Sequence, residues 1–462
     1  MSTTPENSRL KTRHLTMMGL GSAIGAGLFL GVGVGIQIAG TSVLIAYAIA
    51  GALVAVIMRM LGEMASARPS LGSFSTYAGQ AFGNWARFTL GWLFWFMLIM
   101  VMGAEITGAA AILAGWFGVA PWIPALIMVA VFAIINFAAV RGFGEFEFWF
   151  SIIKVTVIIG FLTLGALMVS GLWPETTVVE TANFTENFMP NGLPGFAAGL
   201  LAVAFAFGGI ELVTIAAAES EDPAHNVATA VRAVIFRIIV FYIGSVAVIT
   251  LLLPHNQIQD ADVAAESPFT QLLEVANIPG AVGFMEAVIV VALLSAFNAQ
   301  IYATSRLVFD MAQDGNAPRI FLKTTSGQSP IAAVVLSMAF AFGSVGLQYW
   351  NPPGLLAFLF NAVGGCLLVI WIFTTFSYLK LHPEMRRNGE LSELRLRGFP
   401  YVPWAVLAGL AALVILMLFD ASARGQLIAV GVICGILIAV SLLRPGARQR
   451  VAYTPDTAPA ES

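Results

Sequence analysis

The run "MGLGSAIGAGLFLGVGVGIQIAG", residues 18–40, decides the fold class of this chain. It is apolar and long enough to cross the ~30 Å hydrocarbon layer of a membrane as a helix. Glycine recurs from one end of the run to the other, although each glycine costs a helix roughly 1 kcal/mol relative to alanine. A span of this kind is expected either to pack closely against another helix or to be broken inside the membrane.

The composition of the whole chain indicates a polytopic membrane protein made of helices. Hydrophobic residues make up 59% of the 462 residues, charged residues make up 10%, and the mean hydropathy is +0.88. Because a soluble domain carries about 25% charged residues, this chain has too little polar surface to face water. The two cysteines, Cys366 and Cys434, fall in apolar runs, so no disulfide framework is expected.

Apolar runs bounded by proline, glycine or charge predict about twelve membrane-spanning helices. Their approximate limits are 15–37, 41–62, 86–114, 122–141, 149–172, 194–217, 228–253, 280–309, 330–349, 354–380, 401–420 and 425–444. The sequence between the second and third of them, "GEMASARPSLGSFSTYAGQAFGNW" (62–85), is too polar to cross the membrane and too apolar for a free loop. We predict an interfacial or re-entrant segment there.

Placing the N-terminus inside the cell sorts the basic residues of the loops to one side of the membrane. Of the 22 Lys and Arg residues, only Arg424 then falls outside, and the two long outer loops, 173–192 and 254–280, contain none. Since basic loops stay in the cytoplasm, residues 1–14 and 445–462 are predicted to be cytoplasmic tails. The predicted location is the cell inner (cytoplasmic) membrane, crossed many times.

Two predicted spans carry a glycine break, "GSAIGAG" (21–27) in the first and "FAFGGIE" (205–211) in the sixth. They are five spans apart, so they cross the membrane in opposite directions, as two inverted repeats of five helices require. Matching interruptions of this kind point to the binding site of a transporter. The predicted organisation is a first repeat over 15–172, a second repeat over 194–380 and two appended helices over 401–444.

A broken helix offers a natural site for a zwitterion. The amides that open one half-helix suit a carboxylate, and the carbonyls that close the other half suit an ammonium group. The expected carboxylate-binding residues of the first break are Ser22, Ala23, Ile24, Gly25, Ala26 and Gly27. The expected amine-binding residues of the second break are Phe205, Ala206, Phe207 and Gly208. Close packing of GxxxG pairs such as Gly21–Gly25 is the alternative interpretation of the first run.

Four motifs resemble, in the same order, those of bacterial amino-acid permeases of the amino acid–polyamine–organocation superfamily. They are "RHLTMMGLGSAIGAGLF" (13–29), "GEFEFWFSIIKV" (144–155), "FAFGGIELVTIAAAESEDP" (205–223) and "SAFNAQIYATSRLVFDMAQDGNAPR" (295–319). Within the amino acid transporter family, the sequences of these motifs are most similar to those of actinobacterial aromatic amino acid permeases, although GABA permeases share "MRMLGEMA" and "TIAAAES". The resemblance implies an all-α, LeuT-like inverted-repeat core with discontinuous helices 1 and 6, alternating access, and proton-driven uptake of aromatic amino acids.

Four polar residues in predicted spans are candidates for substrate contact or proton coupling, because such groups are costly inside a membrane. Glu211 follows the second break and either titrates or caps freed amides. Lys154 either snorkels to the cytoplasmic face or, as the resemblance implies, exchanges a proton where sodium-coupled relatives bind Na⁺. The resemblance makes Ser295 and the backbone near Ala23 its neighbours. Glu105 contacts substrate, couples protons or holds two helices together.

The predicted function is proton-coupled symport of an amino acid, with the proton gradient as driving force and no cofactor or metal. Phe205 is expected to gate the site, and Gly208 is expected to leave space for a bulky apolar side chain. The predicted partners are the amino acid, protons and the lipid bilayer, and no nucleic acid. The alternatives are a GABA or other neutral amino acid permease and an amino-acid exchanger of the same fold.

Two other function classes fit the sequence less well. An intramembrane enzyme or respiratory subunit is disfavoured because the four histidines fall in predicted loops or tails and no HExxH motif, haem pair or thiolate cluster occurs. A passive channel does not require two broken helices in inverted positions, whereas a carrier with a central site does. The sequence therefore favours a carrier.

Overall fold

The structure, a computed structural model, describes residues 21, 24–70, 72–138, 143–173, 182–185, 187–208, 223–253, 258, 267–324, 330–352, 354–391, 395–419, 421–444 and 446–451. Every regular element in these ranges is helical. The helices of the first half are α1 (Ala26–Phe29), α2 (Gly31–Ala39), α3 (Val43–Ala67), α4 (Phe74–Phe82), α5 (Asn84–Phe117), α6 (Trp122–Ala138) and α7 (Phe143–Val169).

The described parts of the second half of the chain are also helical. Their helices are α8 (Ala182–Thr185), α9 (Gly192–Ala206), α10 (Pro223–Arg237), α11 (Gly244–Leu252), α12 (Pro268–Val275), α13 (Ala281–Gln313), α14 (Ile331–Trp350), α15 (Leu355–Arg387), α16 (Tyr401–Met417) and α17 (Ala421–Leu442). A π-helical turn, Ile238–Ile243, joins α10 to α11 without interrupting the helix.

The helices match the predicted spans. Within the described ranges, eight helical stretches are long and apolar enough to cross a membrane, and the first, Ala26–Ala67, contains predicted span two and the part of predicted span one from Ala26 onward. Three shorter apolar helices, Trp122–Phe137, Gly192–Ala206 and Tyr401–Met417, correspond to the fourth, sixth and eleventh predicted spans. The prediction of a helical, polytopic membrane protein is therefore confirmed.

The polar segment between the second and third spans forms a short helix inside the protein. Phe74 and Tyr77 of α4 are buried, and α4 packs against α5 and α15. The Tyr77 hydroxyl donates a hydrogen bond to the carbonyl of Arg68 at 2.9 Å, which ties α4 to the end of α3. Contacts within the protein accommodate this segment, which explains why its sequence resembles neither a lipid-facing span nor a free loop.

Helix α5 lies at the centre of the molecule and positions the predicted site. It packs along α13 and α15 and also contacts α4, α6, α14 and α17. Helix α9, which ends at the second predicted break, packs along α2 and contacts α3 and α15. Because α5 carries Glu105 and α2 follows the first break, this packing gathers the candidate residues in the core.

A buried acid on α3 binds the far end of α15. The fully buried carboxylate of Glu63 accepts hydrogen bonds from the Tyr378 hydroxyl and from the backbone N–H of Leu396, each at 2.8 Å, and pairs with His382 Nδ1 at 2.8 Å. The expectation that all four histidines fall in loops or tails is wrong for His382. Helix α15 continues to Arg387, past the predicted limit at 380, because this polar cluster holds its inner face.

Replacing Glu63 by alanine is expected to lower the thermal stability of the purified protein strongly. Three buried polar groups would lose their partner at once, and each unsatisfied buried group costs about 1–3 kcal/mol. The melting temperature in detergent measures the effect. Glu286→Ala serves as the control, because the Glu286 carboxylate binds the exposed Trp116 at 2.7 Å. Equal melting temperatures for the two variants would contradict the role given to Glu63.

Candidate functional site

The two predicted breaks lie against each other in the structure. A Cβ atom on Gly27 would come within 2.8 Å of the Cα of Ala206, so the two backbones touch there. A Cβ on Gly31 would lie 3.6 Å from the ring of Phe205, and one on Gly35 would lie 3.8 Å from a Val203 methyl group of α9. Close packing of these glycines, the alternative interpretation of the run, is therefore what brings the two breaks together.

The first break falls at Gly25. Its backbone (φ −155°, ψ −142°) is not helical, and α1 starts with Ala26. Leu30 keeps a helical backbone and donates to the Ala26 carbonyl at 2.9 Å, so α1 and α2 form one continuous half-helix. Of the predicted carboxylate-binding residues, Ile24 and Gly25–Gly27 are buried at its start. Ser22 and Ala23 lie outside the described residues.

Glu105 of α5 occupies the start of this half-helix. Its Oε2 accepts a hydrogen bond from the Ala26 N–H at 2.9 Å, and the side chain is only 4% exposed. A Cβ on Gly25 would lie 2.8 Å from the carboxylate carbon, so glycine is the residue that leaves Glu105 room. Helix N-termini attract anions. The Ala26 amide, which the sequence predicts to bind a substrate carboxylate, thus binds a carboxylate of the protein.

The second break begins where α9 ends at Ala206. The N–H of Phe207 donates to the Ala204 carbonyl at 3.1 Å, and the N–H of Gly208 donates to the Phe205 carbonyl at 2.8 Å. These bonds tighten the last turn and close the helix at the predicted amine-binding residues. Residues 209–222, which include Glu211, lie outside the described residues.

Aromatic rings from four elements surround the second break. Phe205 stacks on Phe360 of α15, with ring centroids 4.0 Å apart and planes inclined by 24°. Phe207 lies edge-on to Tyr47 of α3, with centroids 6.0 Å apart, and 5.3 Å from Tyr242 of the π-helical turn. All five rings are buried. Surfaces of this kind favour an aromatic or apolar guest, since aromatic rings gain from stacked and edge-to-face contacts.

The space expected beside Gly208 is filled in this conformation. A Cβ on Gly208 would lie 3.3 Å from the Val363 Cγ1 and 3.6 Å from the Leu367 Cδ1, both on α15. Helix α15 occupies the space beside Gly208 in this conformation, and room there for a bulky substrate side chain stays a prediction. The missing side chain of Gly208 allows the turn after α9 to pack closely against α15.

Lys154 of α7 is fully buried, which excludes snorkelling. Its Nζ donates a hydrogen bond to the Gly21 carbonyl at 3.1 Å and lies 3.9 Å from the Glu147 Oε1. The hydroxyl of Ser295 on α13 donates to the Glu147 Oε2 at 2.8 Å. Ser295, which the resemblance makes a neighbour of Lys154, therefore joins the lysine through Glu147. The backbone partner is Gly21, just before the predicted Ala23.

Glu147 is a site residue without a sequence prediction, although its spacing from Lys154 offers a signal. Glu147 lies seven residues before Lys154, which is about two helical turns and places both side chains on one face of α7. Both are fully buried. A buried ion pair persists only where further hydrogen bonds support it, and here Ser295 and the Gly21 carbonyl supply them.

The first break thus meets a cation at its carbonyl end and an anion at its amide end. Lys154 binds the Gly21 carbonyl before the break, and Glu105 binds the Ala26 amide after it. These are the two charges of an α-amino acid. Among the described residues, no group of three or more His, Cys, Asp or Glu side chains could hold a metal ion.

Comparisons with known proteins agree with this geometry. The profile of the amino acid permease family matches residues 14–444. The chain is 62% identical over 449 residues to the aromatic amino acid transport protein AroP of Corynebacterium glutamicum, which covers 97% of each chain. It is 39% identical over 433 residues to the gamma-aminobutyric acid permease of Bacillus subtilis, which covers 93% of this chain and 92% of that one.

The fold also resembles a solved transporter. A crystal structure of a mutant manganese transporter of Eremococcus coleocola matches with a TM-score of 0.59 at 13% identity, and the match covers 95% of this chain and 97% of that chain. A likeness at this identity concerns the fold alone. Together with the family match, it confirms the predicted LeuT-like fold class.

Proposed function

Because the chain belongs to the amino acid permease family, we propose that it imports aromatic amino acids together with protons across the cell membrane. The similarity to the C. glutamicum protein over nearly the whole chain supports this substrate class. Transport of this kind needs no covalent step, so we assign no catalytic residue. We assign both termini to the cytoplasm because the basic residues of the predicted loops collect on that side.

One observation carries the proposal: the first broken helix binds an ammonium group and a carboxylate of the protein itself. The Lys154 Nζ lies 3.1 Å from the Gly21 carbonyl, and the Glu105 Oε2 lies 2.9 Å from the Ala26 nitrogen. Both groups are buried, away from competing water. A backbone that stabilises these two charges in the core is suited to stabilise the same charges on a substrate.

We assign the amides of residues 22–27 to the substrate carboxylate. Since Glu105 holds the Ala26 amide, a substrate can bind there only after Glu105 leaves. Protonation of Glu105 weakens its hold, because a neutral acid accepts a hydrogen bond less strongly than a carboxylate. The proton stays on Glu105 while the substrate carboxylate accepts the Ala26 N–H. A proton on Glu105 thus enters together with the substrate, and the number of buried carboxylates at the break is unchanged.

We assign proton coupling to a second group as well, formed by Lys154, Glu147 and Ser295, with Glu211 as an expected further member. A proton that passes from the Lys154 Nζ to Glu147, 3.9 Å away, neutralises both side chains. Neutral Lys154 binds the Gly21 carbonyl more weakly, which frees the end of the first half-helix. The break can then change its angle during transport.

The carbonyls of Phe205, Ala206 and Gly208 are assigned to the substrate ammonium. The stack of Phe205 on Phe360 supports an aromatic side chain in this region, because a substrate ring can replace Phe360 as the partner of Phe205. Phe205 would then close over the substrate as a gate. A GABA permease is the second candidate, supported by the relative in B. subtilis, but GABA offers no ring for this stack.

Competition for radiolabelled phenylalanine uptake by proteoliposomes tests the substrate class. We expect tyrosine and tryptophan to compete and GABA to have little effect. Strong competition by GABA, without competition by tyrosine or tryptophan, would overturn the aromatic assignment. Uptake into vesicles that contain no amino acid, driven by a pH gradient, would exclude an obligate exchanger. A requirement for sodium would contradict proton coupling.

Glu105→Gln is expected to abolish concentrative uptake while substrate binding persists. Glutamine keeps the shape of the side chain and, being neutral, yields the Ala26 N–H to a substrate carboxylate as the protonated acid does, but it can neither take up nor release a proton. The internal phenylalanine concentration should then not exceed the external concentration under a pH gradient. Glu286→Gln is the matched control, because the Glu286 carboxylate binds the exposed Trp116, away from the first break. Concentrative uptake by Glu105→Gln at the wild-type level would refute the exchange.

A further inference from the structure

Four basic side chains gather beside the start of α5 and the end of α17. They are Lys380, Arg444, Arg448 and Arg450. The Lys380 Nζ lies 4.8 Å from the centre of the Phe82 ring, and the backbone carbonyl of Arg448 lies against Gly83, so both residues lie beside the turn between α4 and α5. In the part of the chain that the structure describes, the ion pairs of acidic side chains are formed with cations other than these four. Cations that are held together without acids create a local positive potential that attracts an anion.

Backbone hydrogen bonds fix the segment that carries two of these cations. Residues 446–451 run along the turn between α4 and α5, where the carbonyls of Ala447 and Gln449 accept hydrogen bonds from the N–H groups of Trp85 (2.7 Å) and Asn84 (2.9 Å). The segment is therefore not a loose tail. Arg448 and Arg450 each follow one of these two hydrogen-bonded residues in the chain. The docked backbone therefore keeps both positive charges near the membrane-spanning helices.

Arg444 is held in place by neutral groups. Its guanidinium lies 4.8 Å from the centre of the Phe88 ring, donates to the Asn316 Oδ1 at 3.4 Å and donates to the Gly315 carbonyl. None of these three partners carries a negative charge, so the charge of Arg444 remains uncompensated by them. An arginine that is oriented in this way can offer its remaining N–H groups to a phosphate oxygen.

Two open grooves meet at Arg444. The first, of about 370 Å³, is mostly apolar and is lined by Phe88, Trp92, Asn316, Ala317, Pro318 and Arg444. The second, of about 480 Å³, is more polar and is lined by Leu442, Arg444, Gly446, Ala447, Arg448 and Gln449. The first groove is thus aromatic and the second groove is basic, and Arg444 lines both of them.

We propose that these grooves bind one anionic phospholipid of the membrane. The phosphodiester lies between Arg444 and Arg448, and an acyl chain lies along Phe88 and Trp92. Tryptophan and arginine at the edge of a membrane commonly contact lipid at the headgroup level, and basic pockets between helices bind acidic headgroups. A soluble phosphate would occupy the basic groove and leave the aromatic groove empty, so the geometry points to a lipid.

Native mass spectrometry of the full chain, titrated with phosphatidylglycerol or with phosphatidylcholine of the same acyl chains, tests the proposal. We expect preferential binding of phosphatidylglycerol, weakened about tenfold in an Arg444→Gln/Arg448→Gln variant. Arg424→Gln is the matched control, because Arg424 is an exposed arginine at the other end of α17. Trp92→Ala should weaken the binding of phosphatidylglycerol without affecting the binding of inorganic phosphate.

The other outcomes overturn the proposal. Equal retention of phosphatidylglycerol by the double variant and the wild type would remove the two arginines from the site. Displacement of the lipid by an equal concentration of inorganic phosphate would leave a simple anion site. Arg444→Gln also loses hydrogen bonds to Gly315 and Asn316, so Arg448→Gln alone provides a second measurement in which this anchor stays intact.

Discussion

Phenylalanine uptake is expected to fall at least about tenfold when Gly25 is replaced by alanine. The added Cβ would lie 2.8 Å from the carboxylate carbon of Glu105 and closer still to its oxygens. Glu105 must then move, and the charge-assisted hydrogen bond to Ala26 is lost. The same methyl group would stand where a substrate carboxylate approaches the half-helix. Initial rates of uptake in cells with matched amounts of transporter measure the effect.

Gly115→Ala is the control for this substitution. Gly115 also lies in a helix, α5, but a Cβ there would meet no atom within 4 Å, and alanine favours a helix by about 1 kcal/mol. We expect normal uptake. Adding Glu105→Ala to Gly25→Ala removes the collision, so the melting temperature should recover while uptake stays low. Wild-type uptake by Gly25→Ala would remove the first break from the substrate site.

Lys154→Met is expected to eliminate accumulation driven by a pH gradient and to destabilise the protein by about 3–5 kcal/mol. Methionine fills a similar volume but carries no proton, so the break loses the cation at the Gly21 carbonyl. Glu147 would also remain as a buried charge without its counterion. Proteoliposome accumulation measures the first effect, and the melting temperature measures the second.

The double variant Glu147→Gln/Lys154→Met separates these two effects. It removes both charges, so the melting temperature should return towards that of the wild type, as for buried ion pairs replaced by neutral groups. Accumulation should remain absent. Lys323→Met is the control, because Lys323 is exposed in the segment after α13. Accumulation by the double variant under a pH gradient would show that the proton moves elsewhere.

The spans and the two breaks were predictable because their signals are local. A run of about twenty apolar residues in a membrane forms a helix whatever the rest of the chain does. The "GSAIGAG" run likewise predicts a break from its own residues alone. The ends of the helices were less predictable. Helix α15 extends beyond the predicted limit at residue 380 because His382, whose polarity suggests a loop, is hydrogen-bonded to the buried Glu63 of α3.

The partners at the site could not be predicted from the sequence, because they come from distant parts of the chain. Glu105 and Ala26 are 79 positions apart, and Ser295 and Glu147 are 148 apart. Composition and spacing carry no information about such a meeting. Similarly, the space beside Gly208 depends on α15, which packs against the turn through Val363 and Leu367. Predicting these contacts requires the packing of the helices.

Helix α3 is fastened to α15 at two neighbouring levels. Glu63 binds Tyr378 and His382, and one turn further on Arg68 binds Glu384 at 3.0 Å and Glu390, just past the end of α15, at 2.7 Å. These two sets of hydrogen bonds and ion pairs oppose sliding and rotation of one helix against the other. We therefore expect the two helices to tilt together when the transporter changes the side of the membrane to which it opens, with the bending located at the glycine break.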